Sequence, residues 1–270
     1  MSVTAVASNR VGTLLRDWRQ RRRMSQMELA LEAGVSTRHL SFVETGRSQP
    51  SPQMVLQLAE RLEVPLREQN QLLLAAGYAP RFARRTLDDP ELAAVRDALG
   101  HVLAGHEPYP ALAVDRHWNL VASNAALGPL LEGVAPELLA PPVNCMRLAL
   151  APDGLAPRIL NLREWRGHLL HRLYRQVQLT GDAELTALYD EVAGYPGPGS
   201  AVSTADIPGP GAIMVQLHLS TGDGHELHFF STVTTFGTAV DVTVSELSVE
   251  AFFPADTATA DRLRGRGDAI

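Results

Sequence analysis

Residues 25–45, Ser-Gln-Met-Glu-Leu-Ala-Leu-Glu-Ala-Gly-Val-Ser-Thr-Arg-His-Leu-Ser-Phe-Val-Glu-Thr, constrain this chain more than any other stretch. Ser25 followed three residues later by Glu28 is a capping box, so a helix starts there. Ala30 is small enough for a close helix crossing, and Gly34 can take the positive φ of a sharp helix exit. Ser36 caps a second helix, in which Leu40 and Val43, with Val35 before it, hold inward-facing positions. Two short helices joined by such a turn bury one face and leave the start of the second pointing outward. That geometry suits the major groove of DNA.

The flanking residues complete a small helical domain. Val11, Leu14, Leu15 and Trp18 recur at helical spacing, predicting a first helix over 11–23 with Arg16, Arg19 and Arg21 to Arg23 on its outer side. After the loop at Gly46 to Pro50, Ser51-Pro52 supplies a cap and a first-turn proline for a helix over 53–62. Pro65 opens a fifth helix that stops at Gly77. The motifs Leu15-Arg16-x-Trp18-Arg19, Ser25-Gln26-x-Glu28-Leu29-Ala30, Gly34-Val35-Ser36, Glu44-x-Gly46-Arg47 and Pro50-Ser51-Pro52 fall in order across residues 11–77. In this the chain resembles the XRE family of Cro and repressor-type helix-turn-helix proteins. The resemblance implies sequence-specific binding of a double-stranded DNA operator as a homodimer. It also implies an ion pair between Arg19 and Glu44, and the residues agree, because a carboxylate on the inward edge of a helix bearing Leu40 and Val43 needs a cationic partner.

Roles follow from position. Ser36, Thr37, Arg38 and Ser41 lie on the first turns of the second helix and are the candidates for base edges, Arg38 for a guanine. Gln26, at a helix start, and Arg47, just beyond the reading helix, are the candidates for phosphates. Phe42 is open between a thymine-methyl contact and a flank of the core.

Charge divides with the domains. The net charge of −6 combines thirteen Arg against seven acids up to Arg85, about +6, with eleven Arg against twenty-three acids beyond it, about −12. The basic half suits phosphate binding and the acidic half does not. No stretch has the length or apolarity of a membrane span or secretory signal, and Cys145 is the single cysteine, so a cytoplasmic protein is expected. The expected division is a DNA-binding domain over 1–80, a linker over 81–89, a second domain over 90–264 and a disordered tail over 265–270.

The second domain changes pattern. A helix begins at Asp89-Pro90-Glu91 and is ended by Pro108 and Pro110. Residues 111–115 and 118–122 then read as a hairpin about Arg116-His117, and Ser123-Asn124 as the cap of a short helix reaching Leu131. Helical spacing returns from Asn161 through Trp165, Leu169, Leu173 and Val177, and again through Leu185, Leu188 and Val192. Residues 194–211 hold five Gly and four Pro and read as a lid or linker. Three strands are expected over 212–219, 227–236 and 240–250. Two strands, helices, then three antiparallel strands is the order of a PAS-like fold, a five-stranded sheet with helices over one face. The fold class is therefore an all-α helix-turn-helix domain followed by an α+β PAS-like domain.

Asp115-Arg116-x-Trp118-x-Leu120-x-Ala122-x-Asn124, Asn161-x-x-x-Trp165 with Arg172, and the run from Ser231 to Gly237 resemble the ligand-binding half of MmyB-like regulators. This implies a small-molecule effector, with fatty-acyl compounds among the ligands of the wider family; no other cofactor is expected. The expected pocket lies between the sheet and the helix around Trp165. Trp165, Leu169, Leu173 and Val177 form one stripe; Val215, Leu217, Phe229 and Val233 alternate on the strands, and Trp118 comes from the hairpin. His168 and Arg172 are placed to meet a polar head group. Whether these residues line a cavity or fill an ordinary core stays open at this point.

Catalytic and metal chemistry find no foothold. His168 with His171, and His218 with His228 and His225, lack the cysteine pairs or spaced carboxylates of a metal site. No P-loop, dinucleotide fingerprint or Gly-x-Ser-x-Gly elbow occurs, and the chain contains no lysine for a Ser/Lys dyad or a Schiff base. The expectation is a non-enzymatic regulator. An enzyme with a DNA-binding head and an antitoxin-like protein that binds a partner protein are the alternatives.

Overall fold

A computed structural model describes residues 3–197 and 214–267. The chain forms two compact units, Met1–Thr86 with Gly237–Ser245, and Leu87–Phe236 with Glu246–Ile270.

The N-terminal unit contains α1 (Val3–Arg21), α2 (Gln26–Glu32), α3 (Thr37–Glu44), α4 (Pro52–Arg61) and α5 (Leu66–Ala75). Helix α1 starts earlier than Val11 because residues 3–10 contain no Gly or Pro to stop it. Local chemistry sets the other starts. The Ser25 hydroxyl accepts from the Glu28 amide while the Glu28 carboxylate accepts from the Ser25 amide. Ser36 and Ser51 accept from the amides of His39 and Met54. Gly34 takes φ 62° between α2 and α3. Val11, Leu15, Trp18, Leu29, Leu40, Val43, Val55 and Leu58 close the core. The tightest approach is at Gly12, where a Cβ would stand 2.2 Å from the Val43 carbonyl oxygen. Only glycine lets α1 lie against the end of α3 in this way.

The second unit opens with a 3-10 turn at Pro90–Leu92 and α6 (Ala93–Ala104). Strands β1 (Ala111–Val114) and β2 (Leu120–Ser123) form the expected hairpin. The segment Ala125–Leu131 is 3-10 rather than α, because Pro129 removes a donor inside it. Asn124 stands at its N-cap position, but its side chain makes no capping bond. Buried, it accepts from the Ala111 amide and donates to the carbonyls of Leu103 and Tyr109, tying the hairpin to the end of α6. Then come α7 (Cys145–Leu150), α8 (Leu162–Thr180), stopped by Gly181 at φ 65°, and α9 (Ala183–Ala193). Strands β3 (Leu217–Ser220) and β4 (Glu226–Thr235), the helical turn α10 (Val242–Ser245), β5 (Ser248–Pro254) and α11 (Thr257–Gly267) complete the chain.

The five strands are antiparallel in the order β2-β1-β5-β4-β3. Their layout follows the expected PAS-like plan with three corrections. First, the last strand lies further along than 240–250. Asp241 accepts from the Thr243 amide and starts a helical turn, so pairing with β1 and β4 begins only at Ser248. Second, both sheet faces are covered. Helices α8 and α9 pack on one, while Leu99 and Leu103 of α6 meet Ala111, Ala113 and Val249 on the other. This is why all four residues of β1 are buried. Third, α11 continues to Gly267, past the expected boundary at 264, and residues 268–270 lie outside the described residues. The expected lid over 194–211 falls largely outside the described residues.

Candidate functional site

Two places carry chemistry, one in each unit. In the first, Arg19 and Glu44 meet as a fork, with Nε and Nη2 of the guanidinium 2.7 and 2.8 Å from the two carboxylate oxygens. The third arm of Arg19 donates to the Met24 carbonyl, and Gln26 Nε2 donates to Glu44 at 2.8 Å. Arg19 and Glu44 are 8% and 5% exposed, so the pair is desolvated and its hydrogen bonds fill most of its capacity. The Glu44 carboxylate raises the Arg19 pKa further, against the effect of burial. The outcome is mechanical, with α3 locked to α1 and to the start of α2.

On the outward side of α3, Thr37 and Arg38 are exposed and Ser41 is half-buried. Ser36 is exposed, and its hydroxyl oxygen is engaged as the helix cap, which leaves the O–H free to donate. Phe42 is half-buried under two cations, the Arg38 guanidinium 5.4 Å and the Arg47 guanidinium 6.0 Å from its ring centre. Its ring thus packs against both arginines on the outward side of α3. Gln26 sits at the first turn of α2, half-buried, with its amide committed in part to Glu44. His39, which the sequence reading passed over, is also exposed on this face, with Nε2 3.4 Å from Ser48 Oγ. Its place in the reading helix was the available signal.

The second place is a partly open cavity of about 90 Å³ within the second unit. Trp118, Trp165, Leu169, Leu217 and Phe229 line it. Of the other residues named from sequence, Leu173 is fully buried in the same core and Val215 packs at its edge. His168 lies behind the wall, its ring 5.4 Å from that of Trp165, and burial, followed by the charge of Arg172, lowers its pKa. Arg172 also stands outside the lining. Its guanidinium is 4.5 Å over the Trp118 ring and donates to Glu250 at 3.1 Å. Val233 lies on the same sheet face, opposite Glu250, but at the exposed end of β4, where it is 46% exposed.

Several lining residues were not foreseen: Leu127 and Leu130 from the 3-10 segment, Cys145 and Met146 from α7, and Glu250 and Phe252 from β5. The signal for Glu250 was a charge on the same strand face as Phe252, two residues on, where period-two alternation calls for an apolar residue. Trp118 reaches the cavity through an unusual backbone, with φ 68° in the β1–β2 turn. Asp115 holds that turn by accepting from the amides of His117 and Asn119. A bulky residue in the left-handed region costs about 1–3 kcal/mol, which the turn and the Trp118 Nε1 bond to Gln176 must offset.

The histidines considered for metal do other things. The rings of His218 and His228 stack at 4.2 Å, and His228 lies between Glu226 and Asp256. Among the described residues, no group of three or more His, Cys, Asp or Glu is placed to hold a metal ion. Nor is any helix there long and apolar enough to cross a membrane.

Comparison with known proteins separates the two units. Residues 95–265, well over half of the chain, match the family described as MmyB-like transcription regulator ligand binding domain. Residues 15–69 match a helix-turn-helix family. No curated protein matches the chain. Among solved structures, the clp gene regulator ClgR from Corynebacterium glutamicum is 24% identical with a TM-score of 0.24, over 38% of this chain and 95% of that one. An RNA-binding light-oxygen-voltage receptor is 13% identical with a TM-score of 0.28, over 97% of this chain and 64% of that one, so the chain spans just under two thirds of that protein.

Proposed function

The chain belongs to the MmyB-like transcription regulators and carries a helix-turn-helix, and from that premise we propose that a small apolar or amphipathic effector in the cavity controls how it binds its operator. It acts in the cytoplasm as a homodimer, each copy placing α3 in a major groove. Ser36, Thr37, Arg38 and Ser41 read base edges, while Gln26 and Arg47 hold phosphates. The observation that carries the proposal is the apolar cavity itself, walled by both tryptophans of the second unit. Packed interiors hold few voids larger than a water molecule, and an apolar one with a polar group in its wall suits a ligand.

Chain connectivity supplies a route. Strands β4 and β5 contribute Phe229, Glu250 and Phe252 to the cavity wall, and the residues joining them, Gly237–Ser245, belong to the N-terminal unit. An effector that binds one arrangement of the β4–β5 pair more tightly than another therefore biases a segment packed with the DNA-reading unit. We read the chain as a regulator and not an enzyme; burial pushes its one thiol, Cys145, up to about 12, far from a working nucleophile.

The test begins with selection of bound duplexes from a random library by the full chain. Paired half-sites are expected, as a two-fold dimer requires. Operator affinity is then measured by fluorescence anisotropy with and without an organic-solvent extract of cells. The extract should shift wild-type affinity by about fivefold or more and leave the cavity-filled Leu217→Trp protein unmoved. An equal shift in the filled protein, or none in the wild type, overturns the proposal.

A further inference from the structure

We infer that the cavity selects a small molecule, of one ring or a short branched chain, that carries a hydrogen-bond-donating hydroxyl or amine and not a carboxylate. The inference rests on the effector reading above and adds to it the chemistry of the ligand.

Charge gives the first argument. Apart from the two indoles, Cys145 and Glu250 are the only polar side chains in the cavity lining among the described residues. Glu250 is 5% exposed and fully engaged on its far side, where Oε2 accepts from Arg172 at 3.1 Å and Oε1 from the Ser231 hydroxyl at 2.9 Å. Each carboxylate oxygen carries two lone pairs, so each can still accept one more hydrogen bond. Arg172 does not share the wall. It is held behind it by Glu250 and by the face of Trp118. The cavity thus presents acceptors, and the cation that balances them is already spent. A ligand carboxylate would lie against a like charge in a low-dielectric site, whereas a hydroxyl or ammonium would complete the Glu250 shell. Cys145 does not alter this, since burial keeps it a neutral thiol and a weak donor at most.

Size gives the second argument. A dry apolar cavity of about 150 Å³ holds benzene. At about 90 Å³, this one admits a ligand on the scale of a single ring only with a small outward shift of its walls. A long acyl chain with a carboxylate head fits neither the volume nor the charge. Met146 in the wall has an unbranched, adaptable side chain that allows such a shift.

Four compounds built on one methylated ring test the inference on the intact chain: toluene, 4-methylphenol, 4-methylbenzylamine and 4-methylbenzoate. Binding is read by titration calorimetry and by quenching of tryptophan fluorescence. The phenol or the amine should bind at least about tenfold tighter than the benzoate and tighter than toluene. A tighter amine identifies a cationic effector, and a tighter phenol a neutral one. In Glu250→Gln the preference for the amine over the benzoate should shrink; should that protein fold poorly, Ser231→Ala, which keeps the Arg172 pair and frees a lone pair of Glu250 Oε1, should instead widen it. If toluene or 4-methylbenzoate binds as tightly as the two donors, the head-group inference falls and the effector cavity stands. If none of the four binds at millimolar concentration, or if binding survives in both Leu217→Trp and Ala149→Phe, the cavity is not an effector site and both readings fall.

Discussion

Glu44 shows how much a single residue can hold. It accepts two hydrogen bonds from Arg19 and one from Gln26 in a desolvated setting. Glu44→Ala would strand a buried guanidinium, at a cost of about 3–5 kcal/mol. Chemical denaturation of the full chain, followed at the N-terminal unit, should show that loss, and an unchanged midpoint would refute the pairing as a structural lock. His168 makes a prediction of opposite character. Its folded pKa lies below its ordinary 6.5 because burial and Arg172 disfavour the charged ring. The unfolded state then binds its proton first as pH falls, so this residue removes stability as pH drops below about 6.5 and until the folded value is passed. His168→Gln should flatten that part of the stability–pH curve. A slope unchanged by the substitution would assign it to other groups.

At the scale of the element, α3 is held from behind by α1, and Gly12 makes that possible. Gly12→Ala should drive the two helices apart and abolish operator binding, with the second unit still folded by circular dichroism; wild-type affinity in this variant would mean that the crossing is looser than 2.2 Å implies. The exposed side of α3 separates reading from holding. Arg38→Ala should relax preference at one base pair per half-site, costing about 1–3 kcal/mol at that position. Arg47→Ala should weaken all sequences alike and reduce the salt slope by about one. Since both arginines lean on Phe42, Phe42→Ala should blur the two effects together. An operator preference changed by Arg47→Ala would reverse the assignments.

For the whole molecule, the decisive feature is that Gly237–Ser245 leaves the sheet between β4 and β5 and belongs to the N-terminal unit. There Asp241 Oδ2 accepts from Arg85 at 3.0 Å, and the Val242 amide donates to the Ala83 carbonyl at 2.8 Å. Asp241→Ala should keep basal operator affinity within about threefold and lower the effector response, because a coupling of 1–3 kcal/mol is easily lost with one anchoring ion pair. A full response in this variant would send the coupling elsewhere. What was legible without coordinates was local: the serine caps, the Gly34 exit, the α8 stripe and the hairpin about Arg116-His117 all act within a few residues, over distances where backbone propensity and side-chain bonds decide. The Arg19–Glu44 fork was legible as well, through the resemblance that implied the pair and because a carboxylate on an inward helix edge needs a cation. Tertiary structure alone decided that α6 covers the second sheet face, that Glu250 and not Arg172 faces the cavity, and that residues 237–245 join the first unit. Each depends on how distant elements fill space against one another, and a void is what their side chains fail to fill, which no spacing along the chain encodes.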